Sequence, residues 1–246
     1  MVSYDARRQR GLARPPVDLR PMLAPALDQG IWPLCIPIVV TAAHEACRVQ
    51  PPEPLAPDAL WSRCVADGTA SREGTTLEAV SDALREDGQP TLVDWPFNNA
   101  ISHEADSIPP AAQVSIWHQA DLAPLPVAND GVEDEVEDAL AGGSVVALLI
   151  EVTTEFERAA PDGAIAVPPL TAPQGSYHAV LVVGARTHEQ ARVLLVRNSW
   201  GPGWGAGGYG WLPVDYLIAF GARAGAIDVS SLTSTAQPNS RKAVAS

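Results

Sequence analysis

Lysine is almost missing from this chain. Lys242 is the only one, and it sits in a tail rich in Ser, Thr and Ala. A Schiff-base lysine or a phosphate-loop lysine therefore has no candidate inside the fold. Cysteine is scarce too: three residues, an odd and low number, do not make a disulfide framework and suit a reducing compartment. No stretch approaches the roughly 18 apolar residues of a membrane span, and the apolar run from Ile36 to Ala43 is far too short. Pro15, Pro16, Asp18, Arg20 and Pro21 interrupt any basic-then-apolar signal layout, so a cytoplasmic location is expected. Basic charge is also short: 16 Lys and Arg against 29 Asp and Glu leave a net −13. A field of that sign repels phosphate backbones and anionic membranes, so neither nucleic acid nor membrane is expected as a partner. The exception is the run Arg7, Arg8, Arg10, Arg14, Arg20, which reads as a solvated tail rather than a docking arm.

Cofactor signals are lacking as well, and none is expected. Gly203 to Gly208 formally matches G-x-G-x-x-G but does not open a helix after a strand. No G-x-S-x-G elbow exists. His44 and Cys47 lie three apart on a predicted helix and Cys64 follows, but a fourth zinc ligand is not evident, so no metal is expected. His103, His118 and His188 stand in polar or loop contexts and read as surface residues.

What is present is a sizeable core and a change of periodicity. Hydrophobic residues make up 46% of 246 positions, enough for one large domain or two small lobes. Residues 1–14 read as a flexible arm. Helices are predicted over Ile36 to Arg48, Ala56 to Ala66 and Thr75 to Glu86, the last opened by a capping box at Thr75-Thr76-Leu77-Glu78. From about 111 the period becomes two. Val114 with Ile116, then Ser144–Glu151, His178–Gly184, Val193–Arg197 and Gly208–Leu212, read as strands. A helix over Val132 to Ala141 interrupts them, its run Glu133-Asp134-Glu135 expected to face solvent near the positive helix end. Residues 230–246 read as a disordered tail. A helical half of about 28–110 followed by a strand-rich half of about 111–228 predicts an α+β, two-lobed domain over 15–229.

Three residues carry chemistry when taken together. Cys35 follows Asp28-Gln29-Gly30 and a short turn, and it opens an apolar helix whose positive end favours thiolate. His178 stands at the mouth of an apolar strand, and Asn198 closes another. The order Cys, His, Asn fits a thiol nucleophile, an imidazole base and an amide that fixes the ring. His178 follows Cys35 by 143 positions, within the interval of roughly 130–150 residues for papain-type enzymes, and Asn198 follows it by 163, slightly long.

The segment Asn198-Ser199-Trp200-Gly201-Pro202-Gly203-Trp204-Gly205, followed by Gly208-Tyr209-Gly210, resembles the Asn-Ser-Trp-Gly segment of the papain-like cysteine peptidases. Asp28-Gln29-Gly30 with Cys35 resembles the nucleophile segment of that family, Pro16 to Arg20 its mature start, and Trp95-Pro96-Phe97 recurs in bacterial members. The resemblance covers about residues 15–228. It implies a papain-like two-lobed fold, a helical left lobe and a β-barrel-like right lobe with the cleft between. It implies Cys35, His178 and Asn198 as catalytic residues and Gln29 as the oxyanion-hole glutamine. It further implies Gly74, Thr75, Tyr177 and Trp200 as substrate-binding residues, and a peptide or protein as substrate.

The chain departs from the family beside Cys35. The family usually has Cys-Gly-Ser before the nucleophile and Trp after it; here Trp32-Pro33-Leu34 precede and Ile36 follows. The family's disulfide partner is thereby missing. Only about 15 residues precede the mature-like start, so a regulatory protein in place of a pro-segment is an expected partner. The expected activity is a narrow or gated cysteine peptidase. The alternatives are a non-catalytic binding module on the same fold and an acyl transferase or peptide ligase using the same thiol chemistry.

Overall fold

The computed structural model describes residues 4–48, 50–99, 114–126, 131–169 and 176–235. Seven helices are present among them: α1 (Tyr4–Ala13), α2 (Cys35–Ala46), α3 (Pro57–Ala66), α4 (Leu77–Glu86), α5 (Val132–Ala141), α6 (Thr154–Glu157) and α7 (Val214–Phe220). The strands are β1 (Val17–Asp18), β2 (Trp117–Leu125), β3 (Val146–Glu151), β4 (Tyr177–His188), β5 (Ala191–Arg197), β6 (Tyr209–Pro213) and β7 (Gly221–Thr235). The α+β class expected from the change in period is what the chain adopts. No helix among the described residues is long and apolar enough to cross a membrane.

The chain divides into two compact units, one of Met1–Asp28 with Ala123–Ala226, the other of Gln29–Leu122 with Ile227–Ser246. The expected halves of 28–110 and 111–228 differ from this at their C-terminal ends. The start of β2 and the end of β7 both belong to the helical unit, where Asp121 donates its main-chain N–H to Ser231 Oγ at 2.7 Å. The expected boundary near residue 110 lies outside the described residues.

In the first unit, antiparallel strands run in the order β7–β3–β4–β5–β6, and β1 pairs with β4 at Val17 and Ala185. β4 and β5 are nearly continuous buried apolar runs, as strands covered on both faces must be. Val132, Val136 and Leu140, one face of α5, pack with Leu148, Val180, Val182, Leu194 and Val196. Among the described residues this sheet does not close on itself, whereas the expectation was barrel-like. β6 ends at Pro213, which has no N–H to donate, and α7 begins at the next residue.

Both ends of the chain depart from the sequence expectation. Residues 4–13, expected to be a flexible arm, form α1. A helix of ten residues does not hold alone in water, so its partners decide. Arg10 donates to Asp134 at 2.7 Å, and Arg14 donates to Asp138 at 2.6 Å and to Asp134 at 3.1 Å. Beneath them Arg192 forks onto Glu137, both side chains 4% exposed, and donates to the carbonyls of Arg14 and Pro15 at 3.1 Å each. Exposed pairs contribute little; the buried Arg192 fork is the stronger tie, because removing either partner strands a charge. Arg10 and Arg14 of the basic run therefore dock on Asp134 and Asp138 of α5, and Glu133, expected to face solvent, is buried. At the other end β7 continues through Thr235, so residues 230–235 are strand, and 236–246 lie outside the described residues. Gly221, Ala222, Ala224 and Gly225 are poor strand formers; register with β3, Ala147 opposite Gly225 and Leu148 opposite Ala224, imposes the strand.

In the second unit α2 is buried from Ile36 to Ala46, the pattern of a helix enclosed by its neighbours α3 and α4. Its polar residues are bonded inside. Thr41 Oγ1 donates to Gln89 Oε1 at 2.7 Å, and Gln89 Nε2 donates to His44 Nδ1 at 2.9 Å. Glu45 accepts the Leu55 N–H at 2.7 Å. The cap of α4 is Thr76, whose hydroxyl accepts the Ala79 N–H at 3.1 Å. The expected cap, Thr75, instead donates to the Thr69 carbonyl at 3.0 Å. His118 is also corrected: it is buried, accepts from Arg48 at Nε2 and donates from Nδ1 to Ser234 Oγ at 2.8 Å. His103 lies outside the described residues, and His188 is exposed.

Candidate active site

The expected site residues fall into two groups, one in each unit. In the first unit β4 opens with Tyr177 and His178, and His178 pairs in register with Ile150 of β3. Asn198 follows the last residue of β5. Arg197 secures that strand end by donating to the Ala24 carbonyl at 2.7 Å, and the Asn198 N–H donates to the Gly208 carbonyl at 2.9 Å. Asn198 Oδ1 then lies 2.7 Å from His178 Nε2 and also accepts the Ser199 N–H at 2.8 Å. An amide oxygen only accepts, so His178 Nε2 carries the proton and Nδ1 is the nitrogen left to take one up. The Trp200 indole lies over the imidazole with ring centres 4.6 Å apart. His178 and Asn198 are 5% and 3% exposed, whereas Tyr177 is 63% exposed.

Phe156 supports this group without a signal in the sequence. Phe156 of α6, fully buried, has its ring centre 6.1 Å from His178, 5.6 Å from Trp200 and 5.0 Å from Trp204. Its carbonyl accepts the Trp204 indole N–H at 3.2 Å. The short helix is started by Thr153, which accepts the Phe156 N–H. Asp28 pairs by main chain with Trp200. A Cβ on Gly201, where φ is +71°, would lie 2.8 Å from Asp28 Oδ2, so glycine is required there on both counts.

In the second unit Cys35 is the first residue of α2 and is half-buried. The N-cap Leu34 makes no side-chain hydrogen bond, and no acidic residue stands in the first turn. The positive end of the helix therefore acts on the sulfur without a competing carboxylate from that turn. Leu34 and Ile36, bulky departures from the family pattern, are buried in the core. Gln29 Nε2 donates to the Trp32 carbonyl at 2.7 Å, which orients the amide; the same carbonyl accepts the Leu34 N–H at 2.8 Å. Gly74 and Thr75 are brought near this turn, since a Cβ on Gly74 would lie 3.6 Å from Pro33 Cβ. The Gly74 N–H and C=O are both bonded to Ser71, at 3.1 and 2.8 Å. Cys47 and Cys64 form no disulfide, and burial raises the pKa of both thiols.

A sequence profile of the papain family cysteine proteases matches residues 64–216. The chain belongs to the papain family of cysteine proteases. The matched stretch contains His178, Asn198 and Trp200 and begins after Cys35. Family likeness extends to the fold. Xylellain, a cysteine protease from Xylella fastidiosa, superposes with a TM-score of 0.69 at 21% identity over 89% of this chain and 88% of its own. Digestive procathepsin L 3 of Tenebrio molitor larval midgut gives 0.65 at 21% identity over 87% of this chain and 71% of its own. A silicatein of Petrosia ficiformis is 33% identical over 81 residues; this stretch spans 33% of the chain and 24% of the silicatein's length.

Burial sets the electrostatics of His178. It pulls the His178 pKa down to about 4, against a weaker upward pull from the Asn198 hydrogen bond. His44 is held down to about 3, by burial first and then by the charge of Arg48. An unfolded chain protonates both rings near pH 6.5. Stability therefore falls as the pH drops from about 6.5 towards 4, each ring contributing on the order of 1.4 kcal/mol per pH unit. Buried Asp58, whose pKa burial raises to about 6, offsets one ring's share below that pH. The expected result is a lower urea midpoint at pH 4.5 than at pH 7 with an unchanged slope. A midpoint constant over this range would mean that the folded protein holds the rings charged.

Proposed function

We propose that this chain is a cysteine peptidase of narrow specificity, with Cys35 as nucleophile, His178 as base and acid, Asn198 as the orienting amide and Gln29 as an oxyanion donor. The observation that carries the reading is the buried 2.7 Å contact from His178 Nε2 to Asn198 Oδ1 under Trp200. It commits one ring nitrogen as donor and leaves Nδ1 to exchange a proton. In the first half-reaction Nδ1 takes the Cys35 proton, and the thiolate attacks a peptide carbonyl carbon. The Cys35 N–H and Gln29 amide hold the oxyanion. The C–N bond breaks as the imidazolium protonates the leaving amine, giving a thioester. In the second half-reaction Nδ1 deprotonates water, hydroxide adds to the thioester carbon, the C–S bond breaks to release the peptide acid, and the imidazolium returns its proton to the Cys35 sulfur. An isolated His178 favours the neutral ring; the charge of a Cys35 thiolate is what would offset the burial cost of the imidazolium.

Narrow specificity is supported by the Ser71–Gly74 bridge. A substrate strand pairing with the Gly74 main chain would have to replace that bridge, whereas side chains such as the exposed Tyr177 remain available to select substrates.

The test is alkylation by iodoacetamide at pH 6, read by peptide mass. Cys47 and Cys64, whose thiols burial pushes up, are controls in the same molecule. Cys35 is expected to react on the order of 10-fold faster or more, because an ordinary thiol is almost wholly protonated there. Equal rates for the three cysteines in folded protein would remove the basis of the proposal.

A further inference from the structure

Asp58, the second residue of α3, is 2% exposed and takes no part in the chemistry above. One of its carboxylate oxygens accepts the Asn98 main-chain N–H at 2.9 Å. The other is buried and has no partner among the described residues. Such a carboxylate costs folding free energy, and a residue kept at a cost to stability points to function. The next residue shows where that function lies. Asn99 turns its carbonyl against Gly30: a Cβ on Gly30 would lie 2.7 Å from that oxygen, and φ there is +63°. Gly30 directly follows Gln29, whose amide is held by the Trp32 carbonyl. A continuous series of contacts thus runs from Asp58 through Asn98 and Asn99 to the turn that presents Gln29.

We infer that Asp58 is a positioning residue for Gln29, its ionised carboxylate clamping the Asn98–Asn99 segment against the Gly30 turn. The inference rests on the oxyanion role proposed for Gln29. Burial raises the Asp58 pKa to about 6, with the Asn98 N–H pulling the other way. The charged groups of the packed elements turn elsewhere. Glu45 of α2 accepts from Leu55, His44 is bonded to Gln89, and Arg63 pairs with Asp67 and Asp87. Above about pH 6 the clamp is a charge-assisted hydrogen bond. Below it the neutral acid accepts more weakly, so an opening that breaks the Asn98 bond while Asp58 stays buried is favoured by protonation, by about fivefold.

The test compares the wild-type chain with Asp58→Asn, which keeps an acceptor oxygen but does not titrate. Hydrogen exchange of residues 29–32, corrected for the intrinsic pH effect, is expected to be about fivefold faster at pH 5 than at pH 7.5 in the wild type. In Asp58→Asn it should be fast at both. With a cleavable peptide, kcat should fall below pH 6 in the wild type with KM nearly unchanged, and Asp58→Asn should show the low kcat at both pH values. A merely structural role would not move this pH step. Wild-type exchange without a step near pH 6, or a step retained in Asp58→Asn, overturns the inference. Cleavage without an exchange step removes the clamp and leaves the peptidase reading; an exchange step without cleavage of any peptide does the reverse. Should Asp58→Asn fail to fold, the wild-type exchange profile alone decides.

Discussion

Replacing Cys35 by alanine is expected to lower kcat for a cleaved peptide by about 10⁵–10⁶-fold, the size of loss seen when a covalent nucleophile is removed. The thioester route needs a sulfur, and neither Cys47 nor Cys64 can supply one: burial raises both pKa values, so each is a poorer source of thiolate. The substitution is also a clean one. Cys35 is half-buried at the start of α2, while the packing there is carried by Leu34, Ile36 and Ile38, and alanine is the best helix former. Melting temperature should therefore change little while turnover is lost. Peptide binding should persist, because substrate contacts do not require the sulfur. Turnover within tenfold of the wild type would exclude Cys35 as nucleophile. Binding without turnover in the wild type itself would favour the non-catalytic module.

His178→Ala is expected to reduce kcat by about 10³–10⁴-fold, at the upper end of what general acid–base catalysis contributes, and to abolish the alkylation advantage of Cys35 at pH 6. Both losses have one cause in the proposed mechanism, since the ring takes up the thiol proton and later hands it to the leaving amine. The position is buried beside Trp200 and Phe156, so alanine also leaves a small void, and a modest loss of stability is expected. His178→Gln separates the effects, because it retains most of the volume and cannot act as a base near neutral pH. It should restore stability and leave turnover low. Full activity in the glutamine variant would show that His178 packs the sheet and does no proton transfer.

Much of this site is legible because its signals are local. The apolar run after Cys35 announces a helix, and α2 begins at that residue. The run after Tyr177 announces a strand, and His178 stands at its mouth. Asn198 to Gly201 forms a dense motif in which a turn follows a buried strand, and its likeness to the papain family holds. Less legible were the residues that stabilise these positions. Phe156 lies on a four-residue helix too short for periodicity to reveal, and its importance comes from four aromatic partners scattered along the chain. Thr75 and Thr76 are both plausible caps in sequence, and only the position of the Thr69 carbonyl selects between them.

The sequence by itself determined the class of fold, the positions of α2–α5 and β3–β6 to within a few residues, and the family. Hydrophobic period, caps and breakers act over a few residues and need no distant partner. Tertiary structure alone decided the fate of the polar segments. The N-terminal arginines read as a solvated arm until Asp134, Asp138 and Arg192, more than a hundred positions away, make them a helix. The small residues of β7 read as no strand until β3 supplies register. His118 reads as surface until Arg48 and Ser234 close over it. A polar side chain has two ways to be satisfied, water or a partner, and its own neighbours in sequence do not choose between them. That choice is made by which elements pack together, and it is why Asp58, an ordinary residue in sequence, becomes a buried carboxylate facing Asn98.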